Sequence, residues 1–223
     1  MTKKGLFYFS VKDLAEIGIM VGLAIALSLP WFKIPIAVNG GSVNISMLPM
    51  FVVALRHGPF KGFLASGIVY GMITCLLDAY GINTYPMEYL IGFGTIAIYG
   101  FFAPYIIKNF MKNKTGTALS IVFTILSVVM WAVIRFFAAS LDSVLFYDST
   151  WVGGFIYNWG YITFSALFDA ILMVSLLFPL KTLNTRFKTT FINEVLNTEE
   201  WLCGFYDSYI LFGKLGIIYV IYL

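Results

Sequence analysis

Glu88 stands among Tyr80, Tyr85 and Tyr89, where one carboxylate and several rings could hold a small molecule. It opens an apolar stretch. A carboxylate that faces lipid is unfavourable, so it turns to a cavity or a partner. That grouping suits a cationic or amine-bearing ligand. The carboxylate offers charge-assisted hydrogen bonds, and the rings offer apolar contact and cation–π attraction. Alternatively, Glu88 caps the positive end of its own helix. A second set follows further on: Tyr147, Trp151, Tyr157, Asn158, Trp159 and Tyr161. Asn158 lies inside an apolar run, so its amide needs a ligand or a neighbouring helix as partner. A third set is the loop Leu29-Pro30-Trp31-Phe32-Lys33-Ile34-Pro35, continued by Asn39-Gly40-Gly41-Ser42. It is either a lid carrying Trp31 over a cavity or a stretch of interfacial belt aromatics.

Other polar groups have plainer readings. Arg135 and Asp169 fall deep in two successive apolar runs and are expected to pair, structurally or as an ion-coupling relay. Asp142 and Asp148 read as solvated loop acids. Gly18, Gly22 and Ala26 recur at four-residue spacing and line one helix face. Such a face allows close approach of a helix of the same bundle or of another membrane subunit. Several chemistries are excluded. No glycine-rich run ends in Lys-Ser or Lys-Thr, so there is no nucleotide-binding loop. No catalytic triad or metal-ligand cluster is visible, and His57 is the single histidine. Cys75 and Cys203 suggest neither a disulfide framework nor a metal site. The expectation is a non-enzyme without metal or cofactor.

The elements that position these residues follow from composition. Hydrophobic residues make up 60% of the 223 and charged residues 11%, against roughly 25% charged in soluble domains. A bilayer must replace the missing core. The fold class is an all-α integral membrane protein, a six-transmembrane-helix bundle with an extra C-terminal amphipathic or membrane-associated segment. The six helices run over about Leu14–Leu29, Val43–Leu55, Gly62–Leu77, Met87–Ile107, Thr117–Ser140 and Gly154–Leu180. The second contains Pro49 and is expected to kink or tilt there. Residues 1–190 form the bundle, and 191–223 a tail of uncertain placement. No cleavable signal pattern is expected at Met1–Ser10. The net charge of +3 is no nucleic-acid signal, because the cations sit at the ends of apolar runs. Lys3, Lys4 and Lys12 precede the first helix; Arg56 and Lys61 follow the second. Lys108, Lys112 and Lys114 follow the fourth, and Lys181, Arg186 and Lys188 the sixth. The opposite loops hold Lys33 with Asp78, Glu88, Asp142 and Asp148. Cytoplasmic loops attract Lys and Arg, so a multi-pass plasma-membrane protein with a cytoplasmic N-terminus is expected.

Several stretches, in order, resemble a known family. They are Glu16-Ile17 with the small-residue stripe of helix one, and Gly40-Gly41-Ser42-Val43 through Met47-Leu48-Pro49. Then come Ala54-Leu55-Arg56-His57-Gly58, Glu88-Tyr89, Arg135-Phe136-Phe137 and Tyr157-Asn158-Trp159-Gly160. Over about residues 14–180 the chain resembles the thiamine-specific substrate-binding (S) component of energy-coupling factor vitamin transporters. The resemblance implies a six-helix subunit with an outward-facing vitamin pocket. Glu88, with aromatics near Trp31, Tyr89 and Tyr147, would hold the aminopyrimidine and thiazolium rings of thiamine, and Asn158 would match a pocket asparagine. Gly18 and Gly22 would dock on a transmembrane coupling subunit driven by two cytoplasmic ATPases. The chain departs from the pattern in places. Ala139 stands where the family has a histidine, Ser143 where a glycine follows, and Leu90 where a proline follows Glu88-Tyr89. The loop between helices five and six is shortened. These differences bear on the ligand more than on the fold and leave a related vitamin or thiamine precursor as an alternative. A different class, a self-sufficient secondary transporter of a small organic cation or other vitamin using Arg135 and Asp169, is disfavoured by the small size and the lack of a two-half repeat.

Overall fold

The computed structural model describes residues 8–36, 41–78, 81–112 and 114–197. Tyr80, Lys3, Lys4 and the tail from 198 to 223, with Cys203, lie outside the described residues. Helix α1 spans Val11–Leu27; Ser10 caps it, its Oγ accepting from the Asp13 N–H at 3.1 Å. The chain then makes a two-stranded antiparallel hairpin of β1 (Ile34–Pro35) and β2 (Ser42–Val43), in which Ile34 faces Val43. This hairpin is the one departure from an all-helical fold among the described residues.

The next helical stretch, Leu48–Asp78, comprises α2 (Leu48–Phe63), a π-helical segment (Leu64–Tyr70) and α3 (Gly71–Asp78). Helix two was expected to begin at Val43 and bend at Pro49. Instead Val43 pairs in the hairpin, and Pro49 sits in the first turn of α2, where a missing N–H breaks no helical bond. The break lies at Gly58-Pro59. Gly58 has φ 83° and ψ 177°, a conformation that strains any residue with a Cβ. A second stretch begins with a 3₁₀ turn (Ile82–Thr84) and a π-helical segment (Tyr85–Ile91). It continues through α4 (Gly92–Gly94) and α5 (Ala97–Lys112). Two long helices, α6 (Lys114–Phe146) and α7 (Trp151–Arg186), are followed by the short α8 (Thr190–Asn197). Thr150 caps α7, its hydroxyl accepting from the Gly153 N–H at 3.1 Å. Four of these stretches, Leu48–Asp78, Ile82–Phe110, Lys114–Phe146 and Trp151–Arg186, are long and apolar enough to cross a membrane.

Their outer faces fit that environment. Leu119, Val122, Ile125 and Val129 on α6 and Phe164, Leu167, Phe168 and Ile171 on α7 are exposed, a larger apolar surface than a soluble monomer shows. Inside, packing relies on rings and close backbones, since lipid offers no hydrophobic drive between helices. Phe51 meets Tyr99 and Trp131 edge-on, at centroid distances of 5.4 and 5.1 Å, which locks α2, α5 and α6 together. A Cβ on Gly67 would lie 3.0 Å from the Gly94 Cα of α4 and 3.1 Å from the Leu90 carbonyl oxygen, so the π-helical Leu64–Tyr70 meets the second stretch backbone to backbone.

One end of the bundle is closed by charge. Arg56, buried in α2, donates to both carboxylate oxygens of Glu16, to Asn184 Oδ1 and to the Phe187 carbonyl. Lys61 Nζ lies 2.8 Å from Asp13 Oδ2, and the Thr190 hydroxyl donates to the same oxygen at 2.7 Å. His57 sits between the acids, 3.7 Å from Asp13 and 3.5 Å from Glu16. Thr189 donates to the Arg56 carbonyl, and the Phe191 ring covers Gly58. These contacts fasten α1, α2, the end of α7 and α8 together.

Candidate binding cavity

The opposite end is open. A cavity of about 1080 Å³ lies between the hairpin, the end of α3, the π-helical Tyr85–Ile91, the last turns of α6 and the first turns of α7. That volume is ample for a two-ring small molecule, since ligand pockets run from roughly 300 to 1,000 Å³.

At its depth, Arg135 Nη2 faces Glu88 Oε1 at 3.8 Å. That distance is too long for a hydrogen bond, so the pair balances charge while leaving the carboxylate's lone pairs available. The guanidinium lies over the rings of Phe93 and Trp131, at 4.8 and 5.4 Å, and the Trp131 indole N–H is held by the Gly92 carbonyl at 3.0 Å. The expected Arg135–Asp169 ion pair does not form. Asp169 is fully buried with both oxygens lacking a hydrogen-bond partner, while Arg135 is turned toward the cavity. Neighbouring antiparallel helices put the two residues near one depth, but helix rotation decides which groups meet.

Glu88 and Tyr89 share a π-helical turn, a form frequent at functional sites. The Tyr89 hydroxyl donates to Asp78 Oδ2 at 3.2 Å, and Lys33 Nζ reaches Asp78 Oδ1 at 3.2 Å. Lys33 therefore ties the hairpin region to α3. The Gly41 N–H donates to the Tyr157 hydroxyl at 2.9 Å, a second tie on the far side. Below the hairpin, the Tyr70 hydroxyl donates to Ser46 at 2.9 Å, and the Asn44 N–H donates to Ser165 at 3.2 Å.

Of the residues singled out in sequence, Glu88, Tyr89, Tyr147, Tyr157 and Asn158 line the cavity. Asn158 is nearly saturated by neighbours. Its amide donates to Ser143 Oγ at 3.1 Å and to the Gly154 carbonyl at 2.8 Å, while its oxygen accepts from Tyr161 at 2.6 Å. Trp31, Tyr85 and Trp151 lie outside the lining. Trp31 is 90% exposed beyond the hairpin's near side. The Tyr85 hydroxyl donates to the Gly67 carbonyl at 3.1 Å, and Trp151 packs on Phe155. Gly18 and Gly22 lie on the outward face of α1, with no atom within 4 Å of an added Cβ; Ala26 is half-buried.

Asp142 overturns the sequence reading. It is 4% exposed, on α6, and lines the cavity. The expected helix stopped at Ser140, which put Asp142 in a loop; α6 runs on to Phe146. Seven residues separate it from Arg135, two helical turns on the same face, so continuing the helix would have found it. Asp148 is exposed, in a turn with φ 50°. Tyr161, from the second aromatic set, and Ser143, where the family has a glycine, line the cavity too, as do Tyr70 and Phe93, which carry no signal that would have separated them from ordinary core residues.

Comparison with known proteins follows the same outline. The family model described as thiamine transporter protein matches residues 14–188. The chain is similar to the thiamine transporter ThiT of Bacillus subtilis (strain 168). The two are 26% identical over 171 residues, covering 72% of this chain and 87% of that one. A solved structure of ThiT from Listeria monocytogenes superposes with a TM-score of 0.67 at 22% identity, covering 78% of this chain and 97% of the other, and shows the shared fold.

Proposed function

Because this chain belongs to the thiamine transporter protein family, we propose that its cavity captures thiamine as the substrate-binding S component of an energy-coupling factor importer. It is a membrane transport component and not an enzyme. The observation that carries the reading is the cavity itself, open at one end of an apolar bundle, lined by tyrosines and a loosely balanced Glu88–Arg135 pair.

Thiamine joins an aminopyrimidine to a permanently charged thiazolium. Glu88 has lone pairs free to accept from an amino group, and Tyr89, Tyr147 and Tyr157 present ring faces. Asn158, braced by Ser143, Gly154 and Tyr161, holds the wall of α7 against α6. Trp31 and Trp151 are exposed and stand off the lining, whereas Tyr85, held by the Gly67 carbonyl and packed on the core, serves to position the turn that carries Glu88. The Lys33–Asp78 and Gly41–Tyr157 ties are the points at which closure of the hairpin region would be held.

Capture alone moves nothing across a membrane, and the chain has no nucleotide-binding loop of its own. Uptake in this reading requires a transmembrane coupling subunit and two cytoplasmic ATPases. The outward face of α1 supports that role. Gly18, Gly22 and Ala26 make a shallow strip flanked by exposed Leu14, Ile19 and Leu23, into which another helix fits closely. The cation-rich end, with α8, is the cytoplasmic one by the distribution of Lys and Arg. The N-terminus then lies inside, the cavity opens outward, and the chain spans the membrane six times, with Gly58-Pro59 as a cytoplasmic turn.

The test is direct. Purified protein is titrated with thiamine while tryptophan fluorescence is followed, with saturable quenching expected at or below micromolar ligand. A folded protein that shows no change at that concentration would remove thiamine as the ligand.

A further inference from the structure

Five charged residues line the cavity among the described residues: Lys33, Asp78, Glu88, Arg135 and Asp142. Lys33 answers Asp78, and Arg135 answers Glu88. Asp142 has no counterpart. Its Oδ1 is buried without a hydrogen-bond partner, and no cation lies within ion-pair distance of it among the described residues. On α6 it lies two turns beyond Arg135, about 10 Å along the axis. Between them on the cavity wall Ala139 offers no polar side-chain atom, and Ser143, just beyond Asp142, is engaged with Asn158.

A buried carboxylate without a positive partner is strongly unfavourable. Asp169 is equally unpartnered but faces no cavity, whereas Asp142 lines one that a cationic ligand can enter and so supply the missing charge. We propose that Asp142 is the specificity-determining residue that reads the positive charge of the ligand. It selects a permanently cationic ring over a neutral one, at a position separate from Glu88. Glu88 cannot fill this role alone, because its charge is already offset by Arg135. This inference rests on the proposal that the cavity binds thiamine, and it places the thiazolium half toward the open end of α6.

The experiment compares wild type with Asp142→Asn, using thiamine and its neutral half, 4-amino-5-hydroxymethyl-2-methylpyrimidine, as ligands in the fluorescence titration. Wild-type binding of thiamine is measured first, and its absence would count against the function rather than against Asp142. The substitution keeps shape and removes charge. Thiamine affinity is expected to fall about 10- to 100-fold, as for loss of a charge-assisted contact, while affinity for the pyrimidine stays within about twofold. Unliganded Asp142→Asn is expected to melt at or above the wild type, because an uncompensated charge has been removed. Thiamine binding within about twofold of wild type would overturn the assignment. So would equal loss for both ligands, or an unliganded variant that melts well below wild type or fails to fold, since each makes Asp142 a structural residue.

Discussion

Replacing Arg56 with Met probes what holds the charged end together. The guanidinium is 1% exposed and makes four hydrogen bonds: two to Glu16 on α1, one to Asn184 on α7 and one to the Phe187 carbonyl after α7. Methionine fills much of the volume but makes none of them. Breaking a buried ion pair from one side costs about 3–5 kcal/mol, chiefly because the remaining charge is stranded. Here Glu16 keeps a 24% exposed side chain, and water can partly solvate it, so the lower part of that range applies. For a chain of this size about 1 kcal/mol moves Tm by about 2–4 °C. The expected fall is therefore about 6–12 °C at 3 kcal/mol, read by thermal unfolding in detergent. Arg56→Lys keeps the charge, loses the two-pronged geometry, and should fall between. Thiamine affinity of the folded variant should be unchanged, because the cavity lies at the other end of the bundle. A Tm within about 2 °C of wild type would refute the reasoning, and would mean that packing of α1 and α8 needs no help from the charge cluster.

Three other outcomes can be checked. Gly100→Ala should destabilise the fold by about 1–3 kcal/mol of overpacking, a fall in Tm of about 2–12 °C, because its Cβ would lie 2.5 Å from the Pro59 nitrogen, backbone that cannot yield. Gly22→Leu should leave thiamine affinity intact, since nothing in the chain lies within 4 Å of a Cβ there. It should abolish uptake in cells carrying the coupling partners, and loss of binding instead would place that face inside the bundle. Lys33→Met removes one of the two ties on the hairpin. It should speed thiamine dissociation several-fold in stopped-flow measurements, by up to about fivefold for a half-buried pair worth about 1 kcal/mol.

The membrane class was legible because lipid-facing surface leaves a plain record in composition. Glu88 and Tyr89 were legible for a related reason: a carboxylate inside an apolar run has few places to go. The Glu16 and Arg56 motifs were noticed separately, and their meeting as an ion pair could not be read from either. Asp142 was missed because a helix end carries a weak local signal, and six residues of extra helix turned a loop acid into a cavity wall. The Arg135–Asp169 pairing failed for another reason. Sequence gives depth along a helix, but rotation about its axis is set by packing, here by Phe93 and Trp131 drawing the guanidinium away. The break at Gly58 rather than Pro49 follows the same rule. Proline disrupts only where its nitrogen would have donated, and a first-turn position asks for no donor.

The π-helical turn at Tyr85–Ile91 has an evolutionary consequence. Such a turn houses one more residue than the α-helix around it, so it behaves as an insertion absorbed without a loop. Deleting one residue there would restore α-geometry and swing everything before it by about 100°. Glu88 and Tyr89 would then point away from Arg135 while retaining their identities. The site thus depends on a count of residues as much as on their kinds. Relatives that share Glu-Tyr at this place but differ in length between Thr84 and Gly92 would carry the letters of the pocket without its shape.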